Sequence, residues 1–193
     1  MALYPGGTWW NPAARGHRFW QNYLCDLEWR VALNGQTNHW GSRLAQAAML
    51  VLVLTLAPFW LALPRLFRAS SSRSGAAVRW LGLVSVAATV CVVFMPSERF
   101  GALHGAMVVL ACVPGLTAVA VAVAGLARSE PRPRAGAAIG GAMLGVALVD
   151  FALYVSHLVG HSEGTPLVPA LEKIALILLL AWMLLVALRT RAR

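Results

Sequence analysis

"RLFRASSSRSGAAVR", residues 65–79, holds four arginines in fifteen positions and lies between two stretches, 44–66 and 77–96, that are otherwise almost free of charge. A helix rising about 1.5 Å per residue needs roughly 20 apolar residues to cross a hydrocarbon layer of about 30 Å. A basic connection between two such runs predicts a pair of membrane helices joined on the cytoplasmic side, because arginine and lysine resist translocation. Three further stretches, 102–127, 136–159 and 167–188, pass the same length test. The sequence therefore predicts an all-α polytopic membrane protein with five transmembrane helices.

Composition agrees. Hydrophobic residues fill 59% of the 193 positions and charged residues only 12%, about half the charged share of a soluble domain. The formal net charge is +9, which in a soluble chain would suggest nucleic acid. Here the arginines cluster at the ends of apolar runs, so topology explains them and no nucleic-acid partner is expected. The connection "RSEPRPR" (128–134) and the tail "RTRAR" (189–193) each hold three arginines. These segments and 65–79 are predicted to face the cytoplasm, with the C-terminus. The alternate loops "PSERFGA" (96–102) and "GHSEGTP" (160–166) are then predicted to lie outside with the N-terminus. The expected location is a bacterial inner membrane.

Residues 1–43 read as an extracytoplasmic, aromatic-rich segment and 44–193 as the bundle. Asn11-Pro12 resembles a helix start and Asn34-Gly35 a turn. Between them Phe19, Trp20, Tyr23, Leu24, Leu27 and Val31 recur at helical spacing, opposite Arg18, Asn22, Asp26 and Arg30. That pattern predicts an amphipathic helix on the outer membrane surface, either an interfacial anchor or a lid over a site between the spans. Five of the eight tryptophans fall in this segment, which suits the headgroup layer. The first residues show no basic and apolar signal pattern. A segment bearing Arg15, Arg18, Arg30 and Arg43 is then expected either to follow a further upstream helix or to cross with the first span as a reverse anchor.

The fourth span carries the chemistry. Asp150, Tyr154, His157 and His161 are spaced 4, 3 and 4, so they share one helix face. An acid inside a span costs about 2.5–3.5 kcal/mol on insertion scales and marks an internal or wet environment. Asp150 is accordingly the catalytic candidate. At matching depth stand His104, Glu172 and Lys173, and Asp26 joins from the N-terminal segment. All five histidines and six of the seven acids fall on the predicted outer side or near midplane. The candidate ligand set is Asp150, Tyr154, His157, Glu172, Lys173 and Asp26. His157 and His161 have the i, i+4 spacing that two zinc-binding imidazoles use, and His104 would complete a metal set. An ionic network without metal, joining Asp150 to Lys173 or His157, is the alternative.

Gly136, Gly140, Gly141 and Gly145 give the fourth span small faces for close helix contact, within the chain or with a protein partner or second copy. Pro114-Gly115 should kink the third span and free backbone carbonyls. Cys25, Cys91 and Cys112 are scattered, which predicts neither a disulfide framework nor a cysteine metal site. The chain has no phosphate-binding glycine loop, G-x-S-x-G elbow, H-E-x-x-H motif or internal repeat.

At "YPGGTWW", "FWQNYLCDL" and "PALEKIALILLLAWM" the chain resembles bacterial polytopic membrane proteins allied to the DRAM and Frag-type families. That resemblance implies a helical membrane fold and no particular reaction. The chain is also similar to the alkaline ceramidase and adiponectin-receptor class of membrane hydrolases, which hold zinc with histidines beside a serine and an aspartate. The similarity implies His104, His157 and His161 as zinc ligands, with Asp150 and Ser97 nearby.

The leading expectation is a small membrane protein that binds a lipid or other amphiphile in an outward-facing polar pocket along the fourth span. The alternatives are a zinc-dependent hydrolase of a lipid amide or ester, in which Asp150 orients the water, and a proton-coupled carrier or assembly subunit.

Overall fold

The computed structural model describes residues 3–66, 72–129, 134–160 and 165–191; for 72, 190 and 191 only the backbone is described. Among them are six α-helices: α1 (His39–Ala62), α2 (Ser72–Phe94), the four-residue α3 (Ser97–Phe100), α4 (Ala102–Ala127), α5 (Arg134–Leu158) and α6 (Leu167–Arg191). A 3-10 turn, Leu63–Leu66, extends α1. All except α3 are long and apolar enough to cross a membrane, in stretches of 22 to 28 residues. The first helix begins at His39, ahead of the expected residue 44, and α3 was not foreseen.

The spans pack in sequence, α1 on α2, α2 on α4, α4 on α5 and α5 on α6, and α6 returns to touch α1. Lipid tails are as apolar as leucine, so close fit rather than expulsion from water must hold such helices together. Trp182 of α6 is completely buried and meets Phe59 of α1 edge-on, ring centres 5.4 Å apart. Gly140 of α5 admits it: a Cβ there would lie 2.8 Å from the Trp182 ring. Gly82 of α2 does the same for Trp60, at 2.3 Å. Of the other glycines in α5, Gly136 is also buried, whereas Gly145 borders open space. In α4 the helix runs on through Pro114, and the Ala111 carbonyl one turn before accepts from Ser85 Oγ at 2.8 Å.

The bundle has two chemically different ends. Arg65, Arg73, Arg79, Arg128, Arg134 and Arg189 sit at the ends joined by the basic connections. The opposite end carries residues 3–38, which are not the expected amphipathic helix. They form a cap of turns, with one 3-10 turn at Cys25–Glu28 and two isolated bridges, Gly6 to Arg15 and Val31 to Thr37. The expected faces hold only in part: Arg18 and Arg30 are exposed, but Asn22 and Asp26, like the neighbouring Glu28, are at most 2% exposed, while Trp20 and Val31 are about half exposed. The cause is side-chain competition for the backbone. Asn22 Oδ1 accepts the Arg18 N–H at 2.9 Å and Asp26 Oδ2 accepts the Tyr23 N–H at 2.8 Å; such local bonds satisfy the chain without a helix. Gly16 at φ +65° reverses the segment, so that Gly16 N–H reaches Pro5 O. The Asn34-Gly35 turn is present, with Gly35 at φ +80° and its N–H on Ala32 O.

Candidate functional site

Two spans and the short helix α3 anchor the cap. Lys173, 1% exposed near the start of α6, pairs with Glu172 at 2.8 Å and donates to the carbonyl of Asn22. Glu172 in turn accepts the Leu24 N–H at 3.2 Å. On the other side Trp29 Nε1 donates to Ser97 Oγ and the Arg30 N–H to Glu98 Oε2, both at 2.9 Å, which ties the cap to α3 between the second and third spans. Asn38, buried at the foot of α1, donates to the carbonyls of Leu27 and Trp29.

Between the cap and the ends of α4 and α5 lies a cavity of about 360 Å³. The cap contributes Trp9, Trp10, Tyr23, Cys25 and Asp26; α4 contributes His104 and Gly105; α5 contributes Tyr154, His157 and Leu158. Gly105 keeps the wall open, since a Cβ there would lie 2.9 Å from Leu158 Cδ1 and 3.5 Å from the Tyr154 hydroxyl. His104 is buried, and its Nδ1 lies 2.6 Å from Met95 O. A carbonyl only accepts, so Nδ1 bears a hydrogen. Asp26 is held from three directions: by Trp9 Nε1 on Oδ1, and by Asn22 Nδ2 and the Tyr23 N–H on Oδ2.

The cap's ionisable groups are tuned mostly by burial. Burial raises Asp26 to about 6, against the opposing hydrogen bonds from Asn22, Trp9 and Tyr23. Glu28, whose Oε1 has no hydrogen-bond partner among the described residues, is raised by burial to about 8. His17 falls to about 4 through burial and then the nearby positive Lys173. Burial, then Glu172 and Asp26, pushes the Cys25 thiol well above its usual range. These surroundings disfavour the Cys25 thiolate, although the residue shares the cavity with two histidines.

The expected site residues are brought together in part. Tyr154, His157, His104 and Asp26 share the cavity. Asp150 lies one turn below Tyr154, within electrostatic reach of Glu172 and Lys173, and its Oδ1 has no hydrogen-bond partner among the described residues. The expected Asp150–Lys173 pair is replaced by Glu172–Lys173, which clamps the cap. His161 lies outside the described residues. Among those described, no three His, Cys, Asp or Glu side chains gather as a metal-holding group. They do not by themselves supply the zinc site that the spacing suggested. The sequence reading missed Trp9, Trp10 and Tyr23 as cavity walls and Asn22 as a fully buried hydrogen-bonding residue of the cap. The run "NYLCD" bore a signal, two polar residues at i and i+4 that can bond their own backbone.

No protein-family model, curated protein or solved structure matches the chain.

Proposed function

We propose that this integral membrane protein binds the head of a lipid or other amphiphile in the cavity beneath the N-terminal cap, with the acyl or alkyl part lying against the spans. The observation that carries this reading is the cavity itself. It is large enough for a small ligand and sits at the end of a membrane bundle, and polar groups from the cap, α4 and α5 converge in it. Tyr154, His157 and Asp26 would contact the head, and Asp150 would set the potential below it. Glu172 and Lys173 act by holding the cap. The arginine-rich end faces the cytoplasm in this reading and the cap faces outward, as in a bacterial inner membrane. Trp40 at the cap end and Trp80 at the arginine end, each at least 70% exposed, take the two headgroup levels that tryptophan favours.

The test is native mass spectrometry of the purified chain, with elemental analysis of the same sample. The reading expects a co-purifying amphiphile that is depleted when Gly105→Leu fills the cavity, without stoichiometric zinc. About one zinc per chain, lost in His104→Ala and His157→Ala, would replace it with the hydrolase.

A further inference from the structure

The charge and the ring content of the cavity specify the head more narrowly. Among the described residues no lysine or arginine lines it, and besides His104 and His157 the one ionisable side chain of low intrinsic pKa among them is Asp26. Lys173, the lysine that anchors the cap, is already committed to Glu172 and Asn22. The walls are aromatic: two indoles, Trp9 and Trp10, and two phenols, Tyr23 and Tyr154. The bond from Trp9 Nε1 to Asp26 Oδ1, 3.1 Å, sets one indole beside the carboxylate. Asp26 accepts three hydrogens from the protein, and a carboxylate offers about four acceptor directions. A cation attracted to ring faces and neutralised by one carboxylate matches this arrangement. A phosphate or carboxylate head would meet Asp26 with no guanidinium or ammonium among the described lining residues to offset it.

Resting on the amphiphile reading, we propose that the cavity takes an ammonium group, with Asp26 as counter-charge and Trp9, Trp10, Tyr23 and Tyr154 as an aromatic cage. The ammonium chemistry is shared by a lipid head and by a free organic cation. The experiment separates them.

The full chain in phosphatidylglycerol nanodiscs is titrated calorimetrically with choline, its uncharged carbon isostere dimethylbutanol, lysophosphatidylcholine, lysophosphatidylglycerol and monoolein. Choline should bind at least about tenfold more tightly than dimethylbutanol, and Trp10→Ala should weaken it about tenfold, between the exposed and the desolvated values for a cation–ring contact. Asp26→Asn should weaken it at least as much. Trp10→Ala decides alone if Asp26→Asn loses the cap. Lysophosphatidylcholine binding well above choline identifies a lipid head, and equal affinities identify a free cation. Equal binding of choline and dimethylbutanol, preference for lysophosphatidylglycerol, or no choline-type binding beside retained monoolein would overturn the ammonium assignment and leave the amphiphile site standing. Binding of none of the five overturns both.

Discussion

The ammonium of Lys173 donates to the main-chain carbonyl of Asn22, 151 positions earlier in the chain, and to Glu172 Oε2 beside it. The start of the fifth span is thereby locked to the centre of the N-terminal cap through a cation that is 1% exposed. The cap is part of the bundle's fold, and this lock is one of the ties that hold it over the cavity.

Breaking the lock from one side should be costly. Glu172→Gln takes from a buried ammonium the one carboxylate it is paired with among the described residues, an expected loss of about 3 kcal/mol. The double variant Glu172→Gln/Lys173→Met should cost less than Glu172→Gln alone, since no charge is left stranded. Thermal unfolding in detergent, with protease cleavage within residues 3–38 as the local readout, measures both. A double variant less stable than Glu172→Gln would show the lock to be worth more than its charges.

Glu28 makes the cap sensitive to pH. Its folded pKa, about 8, lies above the usual glutamate value of 4.5. The folded cap thus holds this proton more tightly than the unfolded chain, and stability falls as pH rises from about 4.5 through 8. Asp26, raised to about 6, adds a loss in the same direction over a narrower window that ends near pH 6. Amide exchange in residues 22–33 should therefore quicken between pH 5 and 8 beyond its intrinsic pH dependence, and Glu28→Gln should flatten most of the excess. An unchanged excess in that variant would assign the effect to another group.

Two glycines should be far less replaceable than a third. A Cβ at Gly82 would lie 2.3 Å from the Trp60 ring and one at Gly140 2.8 Å from Trp182, while Gly145 borders open space. Gly82→Ala and Gly140→Ala should each destabilise by about 1–3 kcal/mol through overpacking. Gly145→Ala should be neutral or slightly stabilising, because alanine favours a helix by up to about 1 kcal/mol. Unfolding midpoints of the three variants give the comparison directly. A large loss at Gly145→Ala would instead reveal a helix from a second copy against that face.

Orientation can be read with reporter cysteines in a chain whose Cys25, Cys91 and Cys112 are replaced by serine. Gln36→Cys, exposed in the cap, should react with an impermeant maleimide applied to intact spheroplasts. Arg73→Cys, at the arginine end, should react only after lysis. The reverse pattern would invert the topology and place the cavity on the cytoplasmic face.

The five spans and the basic connections between them were legible because membrane insertion acts on local properties: run length, mean apolarity and the charge of the connections. Tyr154 and His157 were legible as a pair because helix periodicity fixes which neighbours share a face. The cap was misread for the opposite reason. Phe19, Trp20 and Val31 repeat at helical spacing, yet Asn22 and Asp26 take the backbone hydrogens of Arg18 and Tyr23 and turn the chain into loops.

From sequence alone came the class of the fold, the number of spans and the face of α5 that bears Asp150, Tyr154 and His157. Only the tertiary structure decided that Lys173 pairs with Glu172 rather than Asp150, that Asn22, Asp26 and Glu28 are buried, and that Trp9 and Trp10 wall a cavity with His104 and Tyr154. Hydropathy and periodicity constrain each helix separately. Which side chains meet depends on helix rotation and on where a loop folds back, and both are set by contacts between residues far apart in the chain.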